Sequence, residues 1–396
     1  MVKREANVEI MRLVLLLMVI TIHVVAPYRM SRFDKFEFNW QFASALASLS
    51  RICTNTFVLI SGYFYMTHQE HRTQKTLIRL LGPLLLYIPF FLFLETDRSF
   101  GAALGHVMIS VFTNDNNFYH LWFVHNFLVL SLLAPFLVIA LERASQRTHL
   151  VFMWLLLGVS SGLPTFVYLT GLYWFDLTSF DAPLLLFIAL FVTGAYVRNY
   201  PPNMRQITAG ALLVLTHIAV LFGNIWYNTR YSPLNFIALW RGQISSFEEG
   251  AWIEIWGFSA AFADPVNAVI VAASVLMLVF FTRLDVRSPV LGAVGVAAAR
   301  HVYGAYINHV FWIEAFSRIQ GGRFNLFADY WLDNPSYPLF IIVFILIVTV
   351  SSLLTDMLLM LIIARLRPLI NIYGRRRSSK RRTPQRGRRG RYSPYD

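Results

Sequence analysis

Residues 3–24 read KREANVEIMRLVLLLMVITIHV. From residue 9 to residue 27 the stretch is almost wholly apolar, long enough to cross a hydrocarbon core of roughly 30 Å as a helix. No small-residue cleavage site follows, so it reads as a retained membrane helix and not as a signal peptide. Arg12 and His23 interrupt it. Eleven residues apart, close to three turns, they project from one helix face about 16 Å apart along the axis. Glu5 and Glu9 precede Arg12 at helical spacings that suit ion pairing. Ionisable groups within a membrane span are costly and mark functional candidates. A snorkelling arginine and a hydrogen-bonded core histidine are the structural alternatives.

The pattern recurs outward from this helix. The 396 residues are 57% hydrophobic and 14% charged, against about a quarter charged in ordinary soluble domains. Ten apolar runs, at 9–27, 41–65, 77–94, 118–141, 149–169, 182–199, 207–224, 265–282, 300–318 and 338–364, predict an all-α polytopic transmembrane bundle. Residues 102–112 are too short to span, and 225–264, rich in Trp, Phe and Tyr, suit an interfacial segment. The net charge is +13, and residues 375–396 supply +9 of it. That tail, mixed with Gly, Ser and Pro, cannot bury a core and is expected to be disordered. The chain therefore divides into a membrane domain, 1–370, and a basic cytoplasmic tail, 371–396. Beside a membrane the tail suits anionic lipid and topology better than a specific nucleic acid. With both termini cytoplasmic, 23 Lys and Arg lie in inner segments against 8 in outer ones, as the positive-inside rule requires. Cys53, the single cysteine, offers no disulfide or metal cluster.

Few other polar groups lie at membrane depth. Arg51 sits far below the outer end of the second run and needs a polar cavity or a carboxylate from another span. Thr54, Asn55, Thr56 and Ser61 nearby suit hydrogen bonds between helices. The fourth run begins with Tyr119, His120, Trp122 and His125, where an aromatic belt accounts for Trp122 as well as catalysis does. His309 follows Tyr303 and Tyr306 in the ninth run. Three spans thus each supply one histidine towards the same depth. Arg72, Lys75 and Arg79 share one helix face at i, i+3 and i+7, a stripe suited to phosphates. Positive-inside topology explains the same residues.

These segments resemble the acyltransferase-3 membrane family. The start is similar to its signature of an Asn, an acidic residue and Arg, ten residues and then His, with Arg12 and His23 in those positions. FVLISGYF (57–64), HLWFV (120–124) and VYGAYINH (302–309) resemble its later segments in order. Among subgroups the chain is most similar to the enterobacterial common antigen O-acetyltransferase and its short relatives. Arg72 and Lys75 stand where the family has Arg-x-x-Arg, and Lys lacks the planar fork. Asn308 stands where Ile or Leu is usual.

The resemblance implies a bacterial inner-membrane enzyme that moves an acetyl or other short acyl group from acyl-CoA to a hydroxyl of a surface polysaccharide or its lipid-linked precursor. It implies His23 as the general base and Arg12 on the donor's route. Arg72, Lys75 and Arg79 would bind the donor's phosphates. Arg51, His120 and His309 would orient the acceptor or stabilise the oxyanion. No metal is expected. A glycan-precursor transporter or flippase, with the same Arg and His lining a passage, is the alternative. A non-catalytic partner acting through its basic tail is the third reading.

Overall fold

The computed structural model describes residues 5–31, 38–65, 73–95, 99–113, 120–170, 182–230, 264–318 and 335–379. Among them every regular element is helical. In chain order these are α1 (Ala6–Ser31), α2 (Phe38–Ser50), α3 (Ile52–Tyr65), α4 (Thr73–Leu86), α5 (Ile88–Leu94), α6 (Phe100–Thr113), α7 (Trp122–Arg143) and α8 (Gln146–Leu157). A π-helical turn (Gly158–Gly162) leads into α9 (Leu163–Thr170), followed by α10 (Ala182–Asn199), α11 (Gln206–Arg230) and α12 (Ala268–Thr282). The last are α13 (Pro289–Ala299), α14 (Val302–Arg318) and α15 (Tyr337–Ser379). Contacts divide the chain into two compact units, Met1–Leu353 and Leu354–Asp396. In the second, α15 continues to Ser379, so residues 371–379 of the expected tail carry helical backbone. Tail residues 380–396, and most of the aromatic-rich segment 225–264, lie outside the described residues.

Among the described residues seven helical stretches are long and apolar enough to cross a membrane: Ala6–Val25, Gln41–Tyr65, Thr76–Phe93, Trp122–Arg143, Gln146–Val167, Gln206–Gly223 and Tyr337–Leu366. Pro289–Ala299 and Val302–Arg318, bent by 66° at their junction, make an eighth when taken together. The other two expected spans differ. Pro183–Asn199 and Ala268–Thr282 are shorter apolar helices, about 26 Å and 22 Å long at 1.5 Å per residue. Both are interior helices. Phe187, Leu190, Phe191 and Val192 of α10, and Ile270, Ala273 and Leu278 of α12, are buried, so neighbouring helices meet much of their surface. By contrast Phe136, Val214, Phe222 and Leu339 stand outward, as they do where lipid is the solvent.

Local chemistry sets the breaks. Pro89 near the start of α5 ends the preceding helix at Tyr87. Pro164, whose ring nitrogen has no hydrogen to give, follows the π-helical turn. Asn267 caps α12 by accepting from the Val269 N–H at 2.9 Å. Ser288 does the same for α13 through the Leu291 N–H at 3.2 Å.

Helix α1 is central. Val8, Met11, Leu15, Leu16, Ile20 and Val24 are fully buried, and the helix touches α2, α3, α12, α13 and α14. Helices α3 and α10 cross with their backbones in contact. A Cβ on Gly62 would lie 2.0 Å from the Phe191 carbonyl oxygen, and one on Gly194 would lie 2.1 Å from that of Leu59. Only glycine allows these backbones to touch, as small residues do where membrane helices pack closely.

Candidate active site

The site is assembled around the first turns of α14, whose backbone carbonyls hold two imidazoles. His309 Nδ1 donates to the Tyr306 carbonyl one turn back. His120, in the turn before α7, donates from Nε2 to the Ile307 carbonyl at 3.3 Å. The Tyr306 hydroxyl donates in return to the His120 carbonyl. Because a carbonyl only accepts, these bonds put the proton of each neutral ring on the backbone-facing nitrogen. The lone pairs fall on His120 Nδ1 and His309 Nε2.

His23 of α1 completes the group. Its ring centroid lies 5.0 Å from that of His309, and His309 lies 5.4 Å from His120. His120 and His309 are buried. A cavity of about 70 Å³ is lined by His23 and His120 but not His309, and its other walls are Val19, Ile22, Arg51, Cys53, Thr54, Phe57, Trp122, Phe123, Pro265 and Tyr306. At about 10–15 Å³ per water-sized probe, that is room for a small acyl group. Trp122 belongs to this wall and also packs on Phe123 and Phe187.

Arg51 enters from the break between α2 and α3, where its amide donates to the Ser48 carbonyl at 3.3 Å. It lines the cavity, and its Nε is buried without a hydrogen-bond partner among the described residues. The carboxylate whose charge it feels is Asp264, just before α12. That corner is strapped in place. Asn55 Nδ2 donates to the Pro265 carbonyl at 2.7 Å, and the Ala268 N–H donates to Thr165 Oγ1 at 2.8 Å. Burial pushes the Asp264 carboxyl up, while the Val266 N–H and the Arg51 charge pull it down without reversing the sign. Arg51 thus lines a cavity and feels the Asp264 carboxylate, where the sequence called for a polar cavity or a carboxylate from another span.

Arg12 stands elsewhere. Its Nη1 donates to Glu9 Oε1 at 2.8 Å, and its guanidinium lies over the Phe64 ring at 5.5 Å. Glu5, expected to share in holding Arg12, pairs instead with Arg198 of α10 at 3.5 Å. Arg198 also donates to the Tyr63 hydroxyl at 2.9 Å. Arg12 and His23 are two stations on α1, and only His23 lines the cavity. Of the basic stripe, Arg72 lies outside the described residues, Lys75 has only its backbone described on α4, and Arg79 is exposed. His125 hydrogen-bonds to the Val111 carbonyl at 2.7 Å, and it is not among the cavity-lining residues.

Sequence reasoning missed Asp264, Pro265 and Phe57. A signal for the first two existed: Asp-Pro followed by the capping Asn267 starts an apolar run on the side expected for Arg51. Among the described residues no group of three or more His, Cys, Asp or Glu is arranged to hold a metal ion. A family model of the acyltransferase-3 kind, described as an acyltransferase domain, matches residues 5–356. No curated protein and no solved structure matches the chain.

Proposed function

The chain belongs to the acyltransferase-3 family, and from that premise we propose that it moves an acetyl or other short acyl group from acyl-CoA to a hydroxyl of a cell-surface polysaccharide or its lipid-linked precursor. Its place is the bacterial inner membrane, and its subgroup is that of the enterobacterial common antigen O-acetyltransferase. One observation carries the reading: His23, His120 and Arg51 line a cavity the size of a small acyl group in a bundle of apolar helices, with the His309 ring packed against both imidazoles.

His23 acts as general base. It takes the proton of the acceptor hydroxyl as the oxygen attacks the thioester carbonyl, and returns it to the sulfur when the carbon–sulfur bond breaks. An ester and a free thiol result. Neutral His120, with its N–H spent on the Ile307 carbonyl, has its acceptor nitrogen turned away from that carbonyl, which suits a neighbouring hydroxyl of the acceptor and not the one His23 deprotonates. A developing oxyanion needs donors, and Arg51 supplies them from a charged fork with one buried N–H unused. Arg12 lines the donor's route from the other end of α1, and Arg72, Lys75 and Arg79 grip its phosphates.

The test is purified protein in liposomes with labelled acetyl-CoA and a glycan acceptor. His23→Ala should remove labelled ester by at least about 100-fold while inserting and purifying as wild type. Undiminished transfer by this variant refutes the base, and glycan movement across the liposome without acetyl-CoA consumption favours a flippase.

A further inference from the structure

Resting on the reading of His23 as the base, we propose that His309 is a positioning residue: it accepts a hydrogen bond from His23 and so decides which nitrogen of His23 faces the acceptor hydroxyl. The argument begins with tautomers. His309 Nδ1 gives its proton to the Tyr306 carbonyl, so its Nε2 carries the lone pair. That atom is buried and has no hydrogen-bond partner among the described residues. A buried acceptor left without a donor costs about 1–3 kcal/mol, so the working state must bring one.

The rings in contact with His309 are those of His120, Tyr306 and His23. His120 commits its N–H to the Ile307 carbonyl, and in its neutral form it has no second proton to give. The Tyr306 hydroxyl commits its proton to the His120 carbonyl. His23 is the third ring in contact, with its centroid 5.0 Å from that of His309. An N–H···N bond of about 3 Å, with roughly 1.1 Å from each nitrogen to its ring centre, gives about 5 Å between centroids. The rings therefore stand at the right separation for that bond. Catalytic hydrogen bonds often reach full alignment only when substrate is bound.

With one nitrogen of His23 donating to His309, the other turns its lone pair to the cavity. When it takes the hydroxyl proton, the ring becomes imidazolium and its bond to His309 becomes charge-assisted. A buried carboxylate does this for the histidine of a Ser-His-Asp triad. Here the orienting group is a neutral imidazole, itself oriented by the backbone of α14. The oxyanion role expected of His309 does not suit it, because its only N–H points to its own helix.

The experiment uses the full chain in liposomes and compares His309→Phe, which keeps ring volume without a lone pair, with His309→Gln, whose amide oxygen can accept. His309→Phe should lower kcat by at least about 100-fold while KM for donor and acceptor stays within about threefold. His309→Gln should recover at least about tenfold of that loss. Nitrogen-15 spectra of the His23 ring, taken without turnover, should give one neutral tautomer in wild type and a mixture in His309→Phe. A kcat within about fivefold of wild type for His309→Phe, or a single unchanged His23 tautomer in that variant, overturns the proposal. If His309→Phe does not fold, two tautomers of His23 in wild type overturn it equally. Failure of the base reading is separate, since that appears as activity in His23→Ala whatever His309 does.

Discussion

Gly62→Ala should loosen the bundle where α3 and α10 cross. The added Cβ would meet the Phe191 carbonyl oxygen at 2.0 Å, its carbon at 2.8 Å and the Phe191 Cα at 2.9 Å, where ordinary contact begins at 3.4 Å. Relief therefore needs about 1.4 Å more separation, the difference between 3.4 and 2.0. All three obstacles are backbone atoms, so no side chain can swing away and α3 and α10 must part. Overpacking of this kind costs typically about 1–3 kcal/mol, and two rigid backbones put Gly62→Ala near the upper end, about 3 kcal/mol. At roughly 1 °C per kcal/mol for a chain of this length, the melting temperature of the detergent-solubilised protein should fall by about 3–4 °C. Gly194→Ala strains the same crossing from the other side, 2.1 Å from the Leu59 carbonyl oxygen. The double variant should then lose less than the sum of the singles, since one separation relieves both. Gly105→Ala in α6 is the control: nothing lies within 4 Å of its added Cβ, and a helical Gly→Ala change there should hold or raise stability by up to about 1 kcal/mol. The readout is monodisperse protein surviving a heating series. Gly62→Ala melting within about 1 °C of wild type, or alongside Gly105→Ala, would refute the reasoning.

Two further outcomes follow from the Arg51 corner and from α14. Burial leaves the folded Asp264 carboxyl above its ordinary value, so the fold holds that proton to higher pH than the unfolded chain does. Relative to Asp264→Asn, wild type should lose stability as pH rises from about 4 through the raised value; a wild-type advantage that grows over that range in paired melting curves overturns the sign. Tyr306→Phe removes the hydroxyl that donates to the His120 carbonyl and should lower kcat by about tenfold and stability by about 1–3 kcal/mol, since a buried acceptor loses that donor; unchanged kcat would show that His120 needs no such brace.

Helix positions were legible because apolar runs announce themselves residue by residue. What the sequence withheld were interruptions and long-range pairings. The break at Arg51 falls inside one continuous apolar run, 41–65, and shows only once α2 and α3 are separate. Glu5 has the local spacing to pair with Arg12, but Arg198, 193 residues away by number, takes it. Gly62 reads in sequence as part of a family segment, and its physical task, backbone contact with α10, needs the partner helix to be seen. The three histidines were legible as a set because each interrupts an apolar run at a similar depth. Asp264 was not, because it borders a segment whose Trp, Tyr and Phe content speaks of an interface.

The same contacts explain why the site tolerates so much polarity in an apolar bundle. His120, His309 and the Tyr306 hydroxyl each spend a donor on a backbone carbonyl; Thr56 and Ser274 likewise bond back to the Ile52 and Ile270 carbonyls. In each of the two rings one nitrogen is satisfied by the scaffold and the other is left as an acceptor, turned to substrate in His120 and to His23 in His309. Arg51 is the exception, a charged donor with an N–H left over, and in low-dielectric surroundings an unused charged donor is costly unless negative charge arrives. An arrangement of fixed acceptors around one underused cation suits a reaction that brings a hydroxyl proton to the acceptors and a developing oxyanion to the cation. Gly62 and Gly194 belong to that logic too. They bring α3, which carries Cys53, Thr54 and Phe57 of the cavity wall, against α10, so the same close crossing that stabilises the bundle fixes one wall of the cavity.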